Sequence, residues 1–345
     1  LSDIAILPFH DRFLDQVCRV TQGHWSPDLE LNGRYLAWKY QANPYADDCR
    51  LYLAMDGAEV SGIRGYYALR WVLHPGGEPT TVLMAADLCV RPDYRGQGIS
   101  RKLIQESVED LSTKSRSPFL MNTSAGKSTL LEMVASGWQS LGRFDVSDRR
   151  PNLTAPLRRW AQGEEGLESL DRAPREPGIS ITREVRPGPM AELAGRTAAS
   201  GVRLHRDEAY FRWRFSNPLC RYRFLYAGGT DLDAYLVVQC WTTHDQEWIN
   251  LVDYAYEDER PLETLLSTLI DLSGHRRMRV WTPTNESLRQ VFGRAGFQPT
   301  EYAPGVRDPR PALLLRSLRS DTPTSPQPPR DFSLWERSMA VSDYY

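Results

Sequence analysis

Val90-Arg91-Pro92-Asp93-Tyr94-Arg95-Gly96-Gln97-Gly98-Ile99-Ser100 is the stretch from which the fold of this chain is read. Ahead of it runs Thr81-Val82-Leu83-Met84-Ala85-Ala86-Asp87-Leu88-Cys89, an apolar segment with strand character. After it, Ile99, Leu103, Ile104, Val108 and Leu111 recur at helical spacing. The order is strand, short glycine-bearing loop, helix. Gly96 and Gly98 let the backbone turn tightly and approach a ligand with no Cβ in the way. The first amides of the helix are unpaired, and the helix dipole adds positive potential there. Such a place favours a phosphate or pyrophosphate, and Arg95 puts a full positive charge beside it.

Strand, Val-x-Pro-x-Tyr lead-in (Val90, Pro92, Tyr94), Arg95-x-x-Gly98-x-Ser100 and amphipathic helix together resemble the acyl-CoA-binding motif of the GNAT superfamily of N-acetyltransferases. Ser100 stands at a last position that is Gly or Ala in the family pattern, and it is small enough for the turn. The resemblance implies an acetyl-CoA or other acyl-CoA co-substrate held by Leu88, Cys89, Val90, Arg95, Gly96, Gln97, Gly98, Ile99, Ser100 and Arg101. It also implies that the strand parts from its neighbour, so that amides near Leu88, Cys89 and Val90 meet the pantetheine arm.

The second half of the chain repeats the first. Tyr210-Phe211-Arg212-Trp213-Arg214-Phe215-Ser216-Asn217-Pro218 echoes Tyr35 to Pro44, and Ser287 to Phe297 matches Ser128 to Trp138. The offset shrinks from 175 residues (Trp38 to Trp213) to 159 (Gly137 to Gly296), consistent with shorter loops in the second copy. The expected fold is α/β (α+β): two tandem GNAT folds, each a mixed, mostly antiparallel sheet flanked by helices. The expected division is a catalytic domain over 1–150, a linker over 151–178, a degenerate GNAT-like domain over 179–320 and a Pro-rich tail over 321–345. In that tail Phe332-Ser333-Leu334-Trp335 has the composition to dock on a domain. Where the first copy has Arg95-Gly96-Gln97-Gly98, the second has Glu257-Asp258-Glu259-Arg260-Pro261. Three acids there repel a pyrophosphate, so only the first copy is expected to bind coenzyme A.

Further along the chain, residues 4–20 carry Phe9, Phe13, Leu14 and Val17 at helical spacing, and strands are expected on either side of Asp56-Gly57. Asn122 to Thr129 ends in Gly126-Lys127-Ser128 before a helix, but a phosphate loop needs a Gly where Met121 stands. The string reads instead as a helix start capped by Ser or Thr.

Amine acylation needs a deprotonated nucleophile, although an alkyl amine titrates near ~10. Asp87 is the candidate base by position. Its competing reading is a strand carboxylate that faces outward or pairs with an Arg. His24, beside Trp25 in a loop expected to flank the acceptor, is the second candidate, set against an ordinary surface histidine. The tyrosine that many family members use as leaving-group acid, four residues before the Gly of Gly-Phe, is Met133 here and Phe292 in the second copy. Cys89 is a conceivable nucleophile, but a strand cysteine is usually buried and inert. Arg203, His205, Arg206, Arg212, Arg214, Arg221 and Arg223 make the start of the second copy basic, which reads as solvated faces or as a wall for an anionic acceptor.

Composition bounds the rest. The chain has 345 residues and a net charge of -2, giving no nucleic-acid signal. No apolar run reaches the ~20 residues of a membrane span. Five scattered cysteines without a CxxC pair, and six dispersed histidines, give no support for a disulfide frame or a metal site. The expected protein is a cytoplasmic acyltransferase without metal. It acts on the amine of a small molecule such as an amino sugar or biosynthetic intermediate, at a site completed by the second domain. The alternatives are a non-catalytic acyl-CoA-binding module, or transfer to a protein or peptide amine.

Overall fold

A computed structural model describes residues 4–150, 165–197, 201–243, 246–273, 276–302, 310–319 and 329–342. The chain divides into two compact units. The first comprises residues 1–143 with 216–219 and 311–332, and the second 144–215, 220–310 and 333–345.

The first unit runs β1 (Ala5–Pro8), α1 (Leu14–Val20), α2 (Leu29–Leu36), β2 (Arg50–Asp56), β3 (Glu59–Val72), β4 (Thr80–Val90), α3 (Ile99–Lys114), β5 (Phe119–Asn122), α4 (Lys127–Ala135) and β6 (Gln139–Arg143). The helical spacing over residues 4–20 holds only from Leu14. Ala5–Pro8 is drawn into an edge strand by antiparallel pairing with β2, and tertiary pairing overrides a local pattern there. β3 is buried almost without interruption from Val60 to Leu69 because both of its faces are covered. Tyr66 on β3 bonds Ser107 of α3 (2.7 Å), and Tyr52 on β2 bonds Asp110 of α3 (2.9 Å). On the opposite face Tyr67 lies under Lys39, which follows α2 in a π-helical turn (Ala37–Gln41).

The second unit runs β7 (Val146–Arg149), α5 (Glu165–Glu168), β8 (Ile179–Thr182), α6 (Pro187–Arg196), β9 (Arg203–Leu204), α7 (Glu208–Arg214), β10 (Tyr222–Gly228), β11 (Leu232–Thr243), β12 (Gln246–Tyr256), α8 (Glu259–Ser273), β13 (Arg277–Trp281), α9 (Glu286–Arg294) and β14 (Gln298–Pro299). Along α8, Leu262, Leu265, Leu266 and Leu269 sit on one face and are all fully buried. Each contributes about 1.5–3 kcal/mol relative to exposure.

The units do not end where the sequence places its boundaries. The last strand of the chain, β15 (Ala312–Ser317), lies in the first sheet, whose order is β1-β2-β3-β4-β5-β15-β6. β7 lies in the second, ordered β14-β7-β13-β12-β11-β10-β8. The reason is pairing: Leu314↔Asn122 and Leu315↔Met121 join β15 to β5, and Val280↔Ser147 joins β7 to β13. Each sheet is mixed: a parallel pair (β4–β5 or β12–β13) stands among antiparallel ones. The linker is described from residue 165, and there Leu167 and Leu170 are buried in the second core rather than loose.

Candidate functional site

The two parallel strands of the first unit separate early. β4 and β5 pair only at Leu83↔Leu120 and Met84↔Met121, while β4 continues to Val90. Asn122 sits in the fork: its amide group donates to the carbonyl of Ala85, and its Oδ1 accepts from the amides of Ser124 (3.1 Å) and Ala125 (2.8 Å). This, not a Ser or Thr cap, organises the start of α4, whose N-cap is Gly126 without a side-chain bond.

β4 carries a bulge at the same level. Ile63 pairs with Cys89 and Gly65 with Ala86, so Arg64 faces both Asp87 and Leu88. Asp87 is the one described non-glycine residue with positive φ, at 53°. The amide of Arg91 bonds the carbonyl of Ser61 (2.9 Å). By strand alternation the amide of Cys89 then also faces β3, and that of Val90 faces the open fork.

The chain next makes a 3-10 turn (Pro92–Tyr94), with the Tyr94 hydroxyl donating to Asp56 (3.0 Å). Gly96 and Gly98 follow, each at φ 77°, a left-handed conformation that costs glycine nothing. Gly98 is the N-cap of the 16-residue α3 and offers no side chain to its first amides. They stay available for an anion, the property that suits this loop to a pyrophosphate. Arg95 bends back so that its Nε donates to the carbonyl of Val90 (3.3 Å).

Loop, strand edge and helix starts enclose a cleft of about 860 Å³ within the first unit. Of the residues expected to hold the coenzyme, Leu88, Cys89, Val90, Arg95, Gly96, Gly98, Ile99 and Ser100 line it, while Gln97 and Arg101 do not. Gln97 is turned to the carbonyl of Asp93 (3.3 Å). The sequence did not single out Arg19, Val20 or Glu132, which also line the cleft. Ser128 and Thr129, checked as the end of a phosphate loop, are on its wall. Glu132 accepts a bond from the Ser100 hydroxyl (2.9 Å), which ties α4 to the start of α3. Cys89 is no nucleophile: burial pushes its thiol up to about 11, and its Sγ contacts the carbonyl of Val20 (3.2 Å).

Asp87 is not on the cleft wall. Its carboxylate is buried and meets Lys39 Nζ (2.8 Å), the Tyr40 hydroxyl and Trp25 Nε1 (2.9 Å). The geometry does not favour it as the base, because three donors occupy its oxygens and it is not among the residues that line the cleft. Gly65 makes this cluster possible, since a Cβ there would stand 1.7 Å from the Tyr40 hydroxyl. Lys39 in turn donates to Tyr35 (3.2 Å) and lies over the ring of Tyr67. The sequence signal was a lysine inside the aromatic string Trp38-Lys39-Tyr40, and an aspartate inside an apolar strand. Met133, at the position of the family's tyrosine, is fully buried, and Arg64 donates to its sulfur (3.9 Å).

The second unit repeats this geometry and fills it. β12 and β13 pair over Trp248–Asn250 of β12, which then runs on to Tyr256 past a register shift opposite Val237 and Val238. The fork is occupied by the chain's own residues 333–342. Val202 N–H bonds the Leu334 carbonyl (2.8 Å), Glu336 N–H bonds the Val202 carbonyl (2.8 Å), and the Ser338 hydroxyl reaches the Val252 carbonyl (3.1 Å). Arg206 joins buried Asp253 to Glu336, at 2.6 Å from the latter. Arg214 donates to the carbonyls of Ala340 (3.0 Å) and Ser342 (3.2 Å). The basic residues of the second copy divide: Arg212 and Arg221 are exposed, as solvated faces are, whereas Arg206, Arg214 and Arg223 are spent inside their own unit, the last on Asp171 (2.6 Å). What remains open here is about 220 Å³.

Cys18, Cys49, Cys89 and Cys220 are free thiols. Among the described residues no cluster of His, Cys, Asp and Glu is placed to hold a metal, and no helix is long and apolar enough to cross a membrane.

With this geometry in hand, residues 9–126 match the family model described as "Acetyltransferase (GNAT) domain". No curated protein is matched by the sequence. Solved structures share the fold at low identity. A GCN5-related N-acetyltransferase from Anabaena variabilis aligns with a TM-score of 0.61 at 14% identity, over 92% of this chain and 73% of its own. A tandem GNAT protein from the clavulanic acid biosynthesis pathway aligns with a TM-score of 0.56 at 15% identity, over 93% of this chain and 100% of its own. The Saccharomyces cerevisiae N-myristoyltransferase with bound myristoyl-CoA aligns with a TM-score of 0.58 at 11% identity, over 91% and 83%. Residues 9–126 thus match a GNAT acetyltransferase domain, and the chain has the fold of a tandem GNAT protein.

Proposed function

We propose that this protein is an acyl-CoA-dependent N-acyltransferase, acetyl-CoA being the donor, whose first unit binds the coenzyme and performs the transfer to a small-molecule amine. The observation that carries the reading is the uncapped start of α3, preceded by two left-handed glycines and opening into a cleft bounded by the free edge of β4. Gly96, Gly98 and the first amides of α3 hold the pyrophosphate, and Arg95 adds charge. The free edge at Val90 bonds the pantetheine arm. The bound thioester supplies the electrophilic carbonyl. The chain's residues hold it at the fork, exclude water and take up the proton that the amine must shed. Transfer is by direct attack, since the thiol of Cys89 is held protonated. The free thiols accord with a cytoplasmic setting.

The test is thioester consumption with a panel of amino sugars, alkyl amines and lysine peptides. Acylation of a small amine supports the reading, and preference for peptides moves the acceptor to the protein class. Met133, which cannot give a proton to a departing thiolate, favours a second reading as a non-catalytic acyl-CoA-binding module. Tight coenzyme binding without acyl loss to any amine or to water would establish that one.

A further inference from the structure

The cleft contains few groups able to take a proton near neutrality. Its titratable and charged lining is Arg19 from α1, Cys89 from β4, Arg91, Tyr94 and Arg95 from the loop, Glu132 from α4, and His24. The arginines stay protonated. Cys89 is held as the thiol, and the Tyr94 hydroxyl is donated to Asp56. Glu132 is engaged by Ser100 beside the start of α3, at the phosphate end of the cleft. His24 is left. It is exposed on the wall that Gln22, Gly23 and Pro27 complete, and a neutral imidazole has a ring nitrogen able to accept a proton.

The loop that carries His24 is fixed at several points. The amides of His24 and Trp25 both bond the Thr21 carbonyl (2.8 and 2.9 Å). Gln22 bonds the Pro27 carbonyl (2.9 Å), and Asn32 bonds that of Ser26 (2.9 Å). The long-range tie is Trp25 Nε1 to Asp87, with the indole set edge-on to Tyr35 at 4.8 Å. Asp87 is also the bulge residue that precedes Leu88, Cys89 and Val90. One residue thereby sets both walls: its backbone aims the strand edge, and its side chain holds the loop.

We propose that His24 accepts the proton of the acceptor amine and that Asp87, acting through Trp25, is the residue that positions it. This rests on the N-acyltransferase reading above. His24 takes a proton from the substrate ammonium. The freed nitrogen lone pair forms the N–C bond at the thioester carbonyl. The C–S bond breaks as the tetrahedral intermediate collapses, its electron pair leaving with sulfur. The second proton on nitrogen passes to the thiolate, and the first returns to solvent from the imidazolium.

The experiment compares the full-length protein with His24→Asn, Trp25→Phe and Asp87→Asn, each first titrated with coenzyme A by calorimetry. All three are expected to bind it within about twofold of the parent. Failure of the parent to bind refutes the functional reading itself, and the proposal falls with it. His24→Asn is expected to lower kcat/KM by ~100-fold or more and to move the acid limb of the pH–rate profile upward, toward the ~10 at which the amine frees itself of its proton. Trp25→Phe keeps the ring and loses the donor, so it lowers kcat several-fold and raises the amine KM while the acid limb persists. Asp87→Asn should resemble Trp25→Phe and not His24→Asn. If no amine is consumed, thioester hydrolysis is measured instead, since water must also shed a proton. An unchanged rate and acid limb in His24→Asn overturns the assignment of His24. A Trp25→Phe protein with parental kcat and KM overturns the positioning role of Asp87.

Discussion

The two forks, one in each unit, start from the same construction and end differently. In each, a long strand outruns its parallel neighbour, and a buried aspartate (Asp87 or Asp253) stands at an irregularity. In each, a cation from earlier in the unit answers it, Lys39 of the π-helical turn in one and Arg206, just ahead of α7, in the other. The first fork leads to Gly96 and Gly98 and stays open at about 860 Å³. The second leads to Glu257, Asp258 and Glu259, and residues 333–342 lie in it. The fork is thus present in both units, and on the proposed reading the residues after the strand decide whether it receives a ligand or a piece of the chain. The second loop places acids where the first has glycines, and the tail's Ser338 hydroxyl is bonded to the Val252 carbonyl of the longer strand.

The comparison can be broken most severely at the first loop. Arg95→Glu with Gly98→Glu puts two negative charges and a strained backbone where phosphate binds, and is expected to weaken coenzyme A by ~100-fold or more in calorimetry. A like change at Asp258 should leave affinity untouched. Next in size is Arg206→Met, which leaves Asp253 and Glu336 buried without their cation. It should cost about 3–5 kcal/mol in denaturant unfolding while coenzyme affinity stays at the parental value. Gly65→Ala drives a methyl into the Tyr40 hydroxyl and should cost about 1–3 kcal/mol, with the loss relieved by a second change, Tyr40→Phe. The smallest effect is a pH dependence confined to the second unit. Hydrogen bonds from Arg223 and then Arg183 hold Asp171 down to about 2. An acid with a lowered folded pKa contributes stability above its unfolded value of about 3.9, and this is lost as pH falls toward 2. Arg223→Met should flatten that part of the acid unfolding curve.

The strand-loop-helix unit and the repeat were legible because each is local: apolar spacing, glycines at positions needing positive φ, and the same order twice. Three features were not. β15 follows the second copy in sequence, yet Leu314 and Leu315 pair across to Asn122 and Met121, and no local pattern names a strand's neighbour. Asp87 adopts φ 53° without being Gly or Asn, held there by partners 47 to 62 residues away. Its role was assigned from position along the strand, and the direction of its side chain, toward Lys39, Tyr40 and Trp25, does not favour that assignment. The docking segment at 332–335 was legible as apolar residues after a Pro-rich stretch, but its berth was not. Phe332 packs on Gly142 of the first unit and Trp335 is buried in the second, a division that composition cannot encode.

The central claim is that one fork binds coenzyme and the other is closed by its own chain. Calorimetric titration of the full-length protein with coenzyme A tests it most directly. The account predicts a stoichiometry of one per chain, abolished by Arg95→Glu with Gly98→Glu and unchanged by Arg206→Met. Two sites per chain, or binding that survives the change in the first loop, would contradict it.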